Sequence, residues 1–394
     1  MPEKLTIIVT GYAATYPIGG ATWDYLQYVL GFQRLGHRVY YLEDTGQWTW
    51  DVNRDTFSDD ASSNAAYLAR CIAALDPDLA HNWAIRDVHG RYYGMSQAQV
   101  ARLCRETDVF INYSGSCILR DEYMACRTKV YLDTDPLYNQ AGIIEYVRDT
   151  ADDKTRWAVD YIRQHDKFLS FGENIGKPHC LIPAALFSWQ PTRQPIVLDC
   201  WEKSGVPMRD VYTTVMSWQP YGGSVTVNGV VYGGKHAEFG KVINLPQRTP
   251  QVLELAIGGG LPPTDLLRQH GWHVIEGYGV SSDPWKYREY ICTSKAEFSV
   301  AKQAYVATRS GWFSCRSACY LAAGKPVVVQ DTGFSEHIPT GEGILVFSTE
   351  EEARAAIERI NRDYQHHAAA ASRLAREFFD AQRVLPALLQ TVLS

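Results

Sequence analysis

Residues 309–336 read RSGWFSCRSACYLAAGKPVVVQDTGFSE and decide the fold class. The small and apolar residues from Ala318 to Ala323 predict a helix that ends at Gly324. Three valines, Val327 to Val329, follow almost at once, and a short continuous apolar run is typical of a parallel strand buried on both faces. The stretch therefore predicts loop, helix, strand and loop, the repeating unit of a doubly wound α/β protein.

Both loops of this unit carry phosphate-binding chemistry. The first-turn N–H groups of a helix lack partners within the helix and attract anions, and Arg316 adds a positive charge at that end. The predicted contacts are Ser310, Gly311, Ser314, Arg316 and Ser317 in the first loop and helix start, and Asp331, Thr332, Gly333 and Phe334 in the second loop. The competing interpretation is structural, because every doubly wound protein contains such a helix whatever it binds.

The composition bounds the class of protein. A chain of 394 residues predicts two domains of roughly 150 to 200 residues. A net charge of −6 argues against a general nucleic-acid or membrane-surface binder. Nine cysteines are scattered singly, which predicts reduced thiols and no metal site. The high aromatic content favours a sugar or another ring-bearing ligand, although cores and interfaces use aromatic residues too.

The beginning of the sequence shows no signal-peptide pattern, and no apolar run approaches the ~20 residues that span a bilayer. We therefore expect a cytoplasmic protein. Leu5 to Thr10 predicts a strand, the loop after it ends in Gly19 and Gly20, and a helix is predicted from Thr22. The strand predicted at Val39 to Leu42 completes a βαβ unit. Its glycine spacing is not GxGxxG, which disfavours NAD or FAD.

Three features of the first half are candidates for contact with an acceptor. Asp133 and Asp135 follow a predicted strand, where they would hold an acceptor hydroxyl or a sugar, or else form an ordinary turn. His89 lies in residues 83–93, which show no clear periodicity and predict an irregular excursion. Glu173 follows the strand predicted at 168–171. The predicted acceptor contacts are Tyr12, His89 and Glu173.

A proline-containing connection separates two α/β halves. The predicted boundaries are 1–190 for the first domain, 191–209 for the linker and 210–374 for the second domain, with a helix at about 375–394 crossing back to the first. In the second half, Asn228-Gly229 predicts a hairpin turn, and Lys235 lies where a glycine loop meets a helix predicted at 236–244. A strand is predicted at 298–301 and two amphipathic helices at 349–364 and 370–393.

In order and spacing, these segments resemble the nucleotide-sugar glycosyltransferases of the GT-B fold. The resemblance is closest to the retaining group that includes sucrose-phosphate synthases and bacterial polysaccharide and antibiotic glycosyltransferases. It covers most of the chain. The matching segments are Gly19-Gly20-Ala21, Leu35-Gly36-His37-Arg38-Val39, Gly279-Val280-Ser281, Ser310-Gly311-Trp312-Phe313, Ala322 to Val328, Asp331 to Glu336 and Ala375 to Phe379.

The resemblance implies two Rossmann-like domains with parallel sheets that face each other across a cleft. It implies that the C-terminal domain binds a nucleoside-diphosphate sugar, that Glu336 holds sugar hydroxyls, and that Lys235, Lys302 or Arg316 face the diphosphate. Gly19 and Gly20 would approach the same diphosphate from the first domain.

The chain also departs from that family. The two glutamates that its members carry eight positions apart fall on Gly311 and Cys319, and the usual histidine is absent after Asp133. The sugar, the base and the stereochemical course therefore stay open. If configuration is retained, the leaving phosphate takes the acceptor proton. If it is inverted, Asp133, Asp135 or His89 is the expected base.

The predicted function is metal-independent, retaining transfer of a sugar, a hexose in particular, from a nucleoside-diphosphate sugar to an acceptor. The nucleotide sugar is a co-substrate, and no further cofactor is expected. Asp133-Thr134-Asp135 also resembles the metal-binding pair of a different glycosyltransferase fold, which the doubly repeated α/β order disfavours. The alternatives are a sugar-nucleotide epimerase of the same fold and a non-catalytic nucleotide-sugar binder. The acceptor and the oligomeric state cannot be deduced from the sequence.

Overall fold

The computed structural model describes residues 4–202, 208–218 and 223–394. Its main feature is a pair of open, largely parallel sheets, one in each half of the chain. The predicted mixed α/β class with two Rossmann-like sheets is confirmed. Residues 203–207 of the predicted connection, and residues 221 and 222 at the start of the segment predicted to form the hairpin, lie outside the described residues.

The first half alternates strands and helices. Its elements are β1 (Thr6–Thr10), α1 (Gly19–Arg34), β2 (Arg38–Glu43), β3 (Thr49–Asp51), β4 (Thr56–Ser58), α2 (Ser62–Leu75), β5 (Trp83–Arg86), β6 (Tyr92–Gly94), α3 (Gln97–Glu106), β7 (Val109–Tyr113), β8 (Thr128–Asp133), α4 (Tyr138–Val147), α5 (Asp153–Ile162), β9 (Lys167–Ser170) and β10 (Trp189–Pro191). The main sheet has the order β10-β9-β8-β7-β1-β2-β5-β6. Only β6 runs antiparallel to its neighbour, so the carboxyl ends of the other seven strands share one edge.

The second half repeats the pattern with six parallel strands in the order β15-β14-β11-β16-β17-β18. Its elements are β11 (Val211–Ser217), β12 (Val225–Val227), β13 (Val230–Tyr232), α6 (Lys235–Phe239), β14 (Val252–Gly258), α7 (Thr264–Gln269), β15 (His273–Glu276), α8 (Gly277–Ser281), α9 (Pro284–Thr293), β16 (Ala296–Ser299), α10 (Gln303–Thr308), α11 (Cys315–Ala322), β17 (Val327–Gln330), β18 (Ile344–Phe347), α12 (Glu350–Arg362), α13 (Tyr364–Phe378) and α14 (Ala381–Leu393). Strand β17 is fully buried, as its three valines predict.

The last helix returns to the first half of the chain. Leu385, Leu388 and Leu389 of α14 belong to the same buried cluster as β1 and α1. A Cβ atom on Gly31 would lie 2.5 Å from the Cδ1 atom of Leu385, so the glycine allows α1 and α14 to pack closely.

Helix α1 also contacts the second half directly. A Cβ atom on Gly19 would lie 2.3 Å from the carbonyl oxygen of Asp283. The Trp23 indole nitrogen donates a 2.7 Å hydrogen bond to the Pro284 carbonyl, and Trp23 and Trp201 pack at a centroid separation of 5.2 Å. Helix α1 therefore packs directly against the start of α9.

Several local predictions are confirmed. Helix α11, strand β17 and the hairpin β12–β13 form where expected. Asn228 and Gly229 have φ values of 54° and 77°, the left-handed pair that a tight hairpin requires. Gly324 has a φ of 70°, as expected for a residue that ends a helix.

Other local predictions were wrong. Residues 83–93 are not an irregular excursion, because they contain strand β5 and most of β6. Helix α1 begins at Gly19 rather than Thr22, β16 begins and ends two residues before the predicted 298–301 strand, and α6 ends at Phe239. The helix predicted at 370–393 is two helices, because the chain turns at Phe379 and the Asp380 carboxylate caps the second one.

Candidate functional site

The main cavity of interest opens at the carboxyl ends of β16 and β17, beside the N-terminus of α11. We call it the α11 pocket. It is lined by Lys235, Ser299, Val300, Ala301, Trp312, Phe313, Ser314, Arg316, Ser317, Val329, Gln330, Thr332 and Phe334. Six of the predicted donor-binding residues therefore line one cavity: Lys235, Ser314, Arg316, Ser317, Thr332 and Phe334.

The mouth of helix α11 contains an unsatisfied hydroxyl group. Ser314 caps the helix and accepts a long hydrogen bond, 3.5 Å, from the backbone N–H of Ser317. The Ser317 hydroxyl is fully buried and has no hydrogen-bond partner among the described residues. A buried polar group without a partner costs free energy unless a ligand or water satisfies it. The mouth is thus built to receive a hydrogen-bonding ligand.

Lys235 brings to the pocket an amine that has no partner among the described residues. It follows Gly233 and Gly234 and begins α6. Within the part of the chain that the structure describes, its ammonium group makes no hydrogen bond and no ion pair. Desolvation and the Arg316 guanidinium lower the pKa of Lys235 well below its usual value. An anion bound in the pocket would restore that pKa and stabilise the charge.

Arg316, by contrast, is held by its own domain. Its Nε donates to Glu297 Oε1 at 2.6 Å and its Nη1 to the Val215 carbonyl at 2.7 Å, while Nη2 donates to the Ser299 hydroxyl. Burial opposes the charge, but Glu297 outweighs it and raises the pKa of Arg316. The guanidinium is therefore a rigid, permanently charged wall of the pocket.

The loop after β17 is held by internal hydrogen bonds. Asp331 accepts from the Gly333 backbone at 2.8 Å and from the Ser335 hydroxyl at 2.7 Å. The Thr332 hydroxyl donates to the Trp312 carbonyl. In this geometry Asp331 shapes the loop, and Phe334 lines the pocket.

The two positions that carry no carboxylate, 311 and 319, are closely packed. Gly311 has a φ of 80°, and a Cβ atom there would lie 2.9 Å from the backbone nitrogen of Asn174, so no longer side chain fits without displacement. Cys319 is 1% exposed and lies 3.9 Å from the Gln27 side-chain nitrogen. Ser310 is also fully buried, and its hydroxyl faces the Tyr305 carbonyl at 3.4 Å.

The three carboxylates predicted to act on the substrates, Asp133, Asp135 and Glu336, all have partners. Asp133 is fully buried and accepts hydrogen bonds from Asn139, Gln140 and Ser170, at 2.8, 3.0 and 2.8 Å. Burial raises its pKa.

Asp135 bonds to Lys302 and Tyr305 across the cleft. Despite the effect of burial, Lys302 lowers the pKa of Asp135. Glu336 bonds to Arg309 at 2.8 Å and to His179 at 2.7 Å. Both carboxylates thus hold the two domains or neighbouring loops together.

Other predicted site residues lie outside the α11 pocket. Lys302 is engaged with Asp135 and lies over the rings of Tyr138 and Tyr305, 4.8 and 5.2 Å from their centroids. Gly19 and Gly20 face Asp283 and Tyr287. A Cβ atom on Gly333, where φ is 92°, would lie 2.8 Å from the Asn174 amide nitrogen. These glycines allow chain segments to approach one another.

A second cavity lies in the first domain, at the carboxyl ends of β2 and β5, and we call it the β2 pocket. Its lining is largely polar: Thr15, Glu43, Thr45, Gln47, Thr49, Ser58, Asp59, Ala61, Ile85, Arg86, Asp87 and Val88. Burial raises the pKa of Glu43, which accepts hydrogen bonds from the Ala14 N–H, Thr15 and Tyr41.

The predicted acceptor contacts do not meet in one place. The His89 ring pairs with Asp59, at the rim of the β2 pocket, at 2.9 Å. Tyr12 packs against Tyr16 at a centroid separation of 6.0 Å, and burial raises its pKa to about 12. Glu173 forms a two-point ion pair with Arg193, at 2.5 and 2.9 Å. Of these three residues, His89 is the one that borders a cavity.

Sequence reasoning missed Ser299, Trp312 and Gln330 in the α11 pocket and Asp24 on α1. Burial raises the pKa of Asp24 to about 7, although Arg316 opposes the shift. The one sequence signal was a carboxylate between two aromatic residues, Trp23 and Tyr25, on a largely buried helix.

Two further searches bear on the class of protein. Across residues 4–202, 208–218 and 223–394, no group of three or more His, Cys, Asp or Glu side chains has an arrangement that would hold a metal ion. Within the same residues, every helix is too short or too polar to cross a membrane.

Comparison with known proteins relates this architecture to glycosyltransferases. No protein-family model and no curated protein matches the sequence. Among solved structures, AviGT4, a glycosyltransferase involved in avilamycin A biosynthesis, matches over 99% of this chain and 97% of its own, with a TM-score of 0.52 and 13% identity. An alpha-glucosyltransferase solved with UDP-glucose and DNA containing an abasic site matches over the whole of both chains, with a TM-score of 0.57 and 9% identity.

The Anabaena protein Alr3699/HepE, solved with UDP and glucose, matches over 99% of both chains, with a TM-score of 0.55 and 13% identity. Such matches along the entire length show that this chain has the GT-B fold of glycosyltransferases. The α11 pocket lies at the carboxyl ends of parallel strands, where open α/β sheets bind their ligands.

Proposed function

We propose that this protein is a glycosyltransferase that moves a sugar, a hexose in particular, from a nucleoside-diphosphate sugar to an acceptor. The observation that carries the proposal is the α11 pocket, where a lysine and a buried serine hydroxyl, both without partners among the described residues, face a helix N-terminus. These groups are suited to a diphosphate, because each gains a partner when an anion binds. UDP is the first nucleotide to test, since several structural neighbours were solved with UDP or a UDP-sugar.

Different residues of the α11 pocket contribute different contacts to the diphosphate. Lys235 contributes a positive charge, Ser314 and Ser317 contribute hydroxyls, and the first-turn N–H groups of α11 point towards the same anion. Arg316 keeps the pocket positive without needing to move. Removing one such donor from a site that stabilises developing charge typically costs roughly 3–4 kcal/mol of barrier.

The chemical step follows from this arrangement. The bond between the anomeric carbon and the phosphate oxygen breaks, and its electron pair leaves with the diphosphate. The acceptor oxygen forms the new bond to the anomeric carbon. We propose that configuration is retained and that the leaving phosphate takes the acceptor proton. We also propose metal-independent transfer, because Lys235 and Arg316 can balance the leaving charge.

We place the acceptor on the first domain, with the β2 pocket as its polar contact surface. His89 borders that pocket through Asp59, whereas Tyr12 and Glu173 lie apart from it. The soluble substrates to offer first are sugars and glycosides, since hydroxyls and carboxylates line the pocket.

The first experiment is a thermal-shift panel of UDP, GDP, ADP and TDP, each with EDTA and with Mg²⁺. A nucleotide at about one hundred times its dissociation constant adds about 2.7 kcal/mol to stability. We expect UDP to raise Tm equally in both buffers. The absence of a shift with all four nucleotides would refute the donor site, and a shift that requires Mg²⁺ would refute metal independence.

The Lys235→Ala variant tests the pocket itself. Losing a charge-assisted contact costs about 1.5–3 kcal/mol, so UDP affinity should fall roughly ten- to hundred-fold by calorimetry. The stability of the ligand-free protein should be unchanged or higher, because Lys235 has no partner to lose among the described residues and burial disfavours its charge. Lys286→Ala, on the exposed face of α9, is the matched control. Equal UDP affinity in the wild type and Lys235→Ala would reject the role of Lys235.

Turnover separates the transferase from its two rivals. A transferase forms product only when an acceptor is added, and NMR of that product reports its anomeric configuration. An epimerase converts the sugar nucleotide alone. A non-catalytic binder gives the thermal shift but neither hydrolysis nor transfer with any acceptor in a panel of mono- and oligosaccharides.

A further inference from the structure

At the boundary between the domains, Asp24 has no partner for its carboxylate in the part of the chain that the structure describes. Asp133, Asp135, Glu297 and Glu336 all accept hydrogen bonds or form ion pairs. The Asp24 side chain makes no hydrogen bond and no ion pair with any residue that the structure describes. Asp24 is partly exposed to solvent. An unpaired carboxylate in a cleft is costly to fold, so its presence calls for a ligand.

The position of Asp24 follows from its neighbours on α1. Gly20, Asp24 and Gln27 are spaced at four and three residues and therefore share one face of the helix. A Cβ atom on Gly20 would lie 3.3 Å from the Tyr287 ring, and the Gln27 amide lies 3.9 Å from the Cys319 sulfur. Asp24 lies between these two contacts, so it faces α9 and α11 across the cleft. The Gln194 side chain bonds to the Asp24 carbonyl at 2.9 Å and fixes this turn of the helix.

The electrostatic surroundings of Asp24 identify which kind of ligand it suits. Arg316 is the positive group near it, and Asp135 is a negative one. Arg316 also lines the α11 pocket, so Asp24 lies close to the proposed diphosphate. A carboxylate repels a phosphate. Hydroxyl groups, which donate hydrogen bonds, and positive charge that develops at an anomeric carbon are both favourable partners for it.

We propose that Asp24 is a catalytic residue that accepts hydrogen bonds from hydroxyl groups of the donor's sugar and stabilises positive charge at its anomeric carbon. This inference rests on the proposed function. Asp24 forms no covalent bond in the step. The anomeric bond to phosphate breaks with its electron pair on the diphosphate, and the acceptor proton goes to a phosphate oxygen. Above about pH 7 the carboxylate is ionised throughout the step, and its contacts strengthen as the charge develops.

The test compares binding of UDP with binding of UDP-sugars in Asp24→Asn. The probes are UDP, UDP-glucose, UDP-galactose and UDP-N-acetylglucosamine, measured by calorimetry. For the UDP-sugar that the wild type binds most tightly, the variant should bind at least ten-fold more weakly. Binding of UDP should be unchanged or tighter, because the variant removes a negative charge near the diphosphate. Asp153→Asn, on the exposed start of α5, should leave both affinities unchanged.

Other results would overturn the inference in distinguishable ways. Equal affinity of wild type and Asp24→Asn for the UDP-sugar, or an equal loss for UDP and UDP-sugar, contradicts a contact to the sugar. A wild type that binds UDP but no UDP-sugar contradicts the inference and leaves the nucleotide site intact. A wild type that binds neither refutes the proposed function itself.

The melting temperature of Asp24→Asn distinguishes an Asp24 that awaits a ligand from one that stabilises the fold, because the two roles predict changes of opposite sign. Because folding raises the pKa of Asp24 from about 4 to about 7, wild-type stability should fall as pH rises through that interval. Asp24→Asn should therefore have a Tm higher than the wild type by about 2–4 °C at pH 8, and equal to it near pH 4. A structural Asp24 would instead give a lower Tm in the variant at pH 8.

The pH dependence is assigned to Asp24 by the difference between wild type and Asp24→Asn, because Lys235, whose pKa burial also lowers, is present in both proteins. The pKa values of the surrounding thiols and phenols are raised above their usual range, so these groups stay neutral, while Asp135 and Arg316 stay charged. The groups that face Asp24 are Arg316, Cys315 and Cys319 of α11, Tyr287 of α9, Tyr113 of β7, Asp135 after β8, and Tyr25 and Tyr28 of its own helix. The sugar-dependent part of kcat should rise with pH through about 7 in the wild type and stay level in Asp24→Asn.

Discussion

The α11 pocket of the second domain and the carboxylates of the first domain differ in how their polar groups are satisfied. In the pocket, Lys235 and the Ser317 hydroxyl have no partner among the described residues. In the first domain, Asp133 has three donors, and Glu43 has four. A satisfied buried group contributes to the fold, whereas an unsatisfied one costs free energy until a ligand arrives. The comparison separates structural carboxylates from groups that await a substrate.

The largest effect is expected when a carboxylate is placed at position 311. Gly311→Glu forces a side chain onto a left-handed backbone and against the Asn174 backbone. We expect a loss of about 2–4 kcal/mol in the free energy of unfolding and no gain of activity. Gly36→Glu is the matched control, because Gly36 has a φ of 90° with open space around it and should lose only about 1–2 kcal/mol. Comparable urea midpoints for the two variants would show that the contact with Asn174 has no cost.

A smaller but still large loss is expected for Asp133→Ala. The change leaves the donors of Asn139, Gln140 and Ser170 without their acceptor, at a cost of about 2–3 kcal/mol in the free energy of unfolding. Chemical denaturation measures it. UDP affinity of the folded fraction should stay within two-fold of the wild type. A variant with wild-type stability and no transferase activity would instead place Asp133 among the catalytic groups.

The smallest effect on stability, with the opposite sign, is expected for Ser317→Ala. Removing a buried hydroxyl without a partner should leave stability unchanged or raise it by up to about 1 kcal/mol, while UDP affinity falls several-fold. Ser281→Ala is the control, because the Ser281 hydroxyl donates to the Gly277 carbonyl at 2.7 Å and its loss should destabilise. If both serine variants lose the same stability, the hydroxyl of Ser317 is satisfied and the comparison fails at this position.

Short-range sequence patterns predicted the helices and strands that form the α11 pocket. The valine run of β17, the glycine that ends α11 and the glycines before Lys235 each act through neighbouring residues, so the sequence was enough to predict these local elements. That Lys235 lies beside Ser314 and Ser317 in one pocket is decided by the tertiary structure. The resemblance to GT-B glycosyltransferases added the pairing of two such domains, and the fold agrees with it.

The roles of the acidic residues did not follow from local pattern. Asp133, Asp135 and Glu336 occupy the ends of strands or turns, where catalytic carboxylates are common. Each proves to have a partner far along the chain: Ser170, Lys302 and His179 respectively. The pairing of Asp135 with Lys302 joins residues 167 positions apart. No periodicity or motif spans such a distance.

By itself, the sequence determined the alternation of strands and helices, the glycine turns and the anion-binding chemistry at the start of α11, because those features depend on residues within a few positions of each other. Only the tertiary structure decided which ionisable groups have a hydrogen-bond or ion-pair partner among the described residues. Two residues show the reason. Folding places Asp24 of α1 near Arg316 of the second domain, and burial then raises its pKa. Folding also brings Asn174 of the first domain against Gly311, which leaves no room for a side chain at that position.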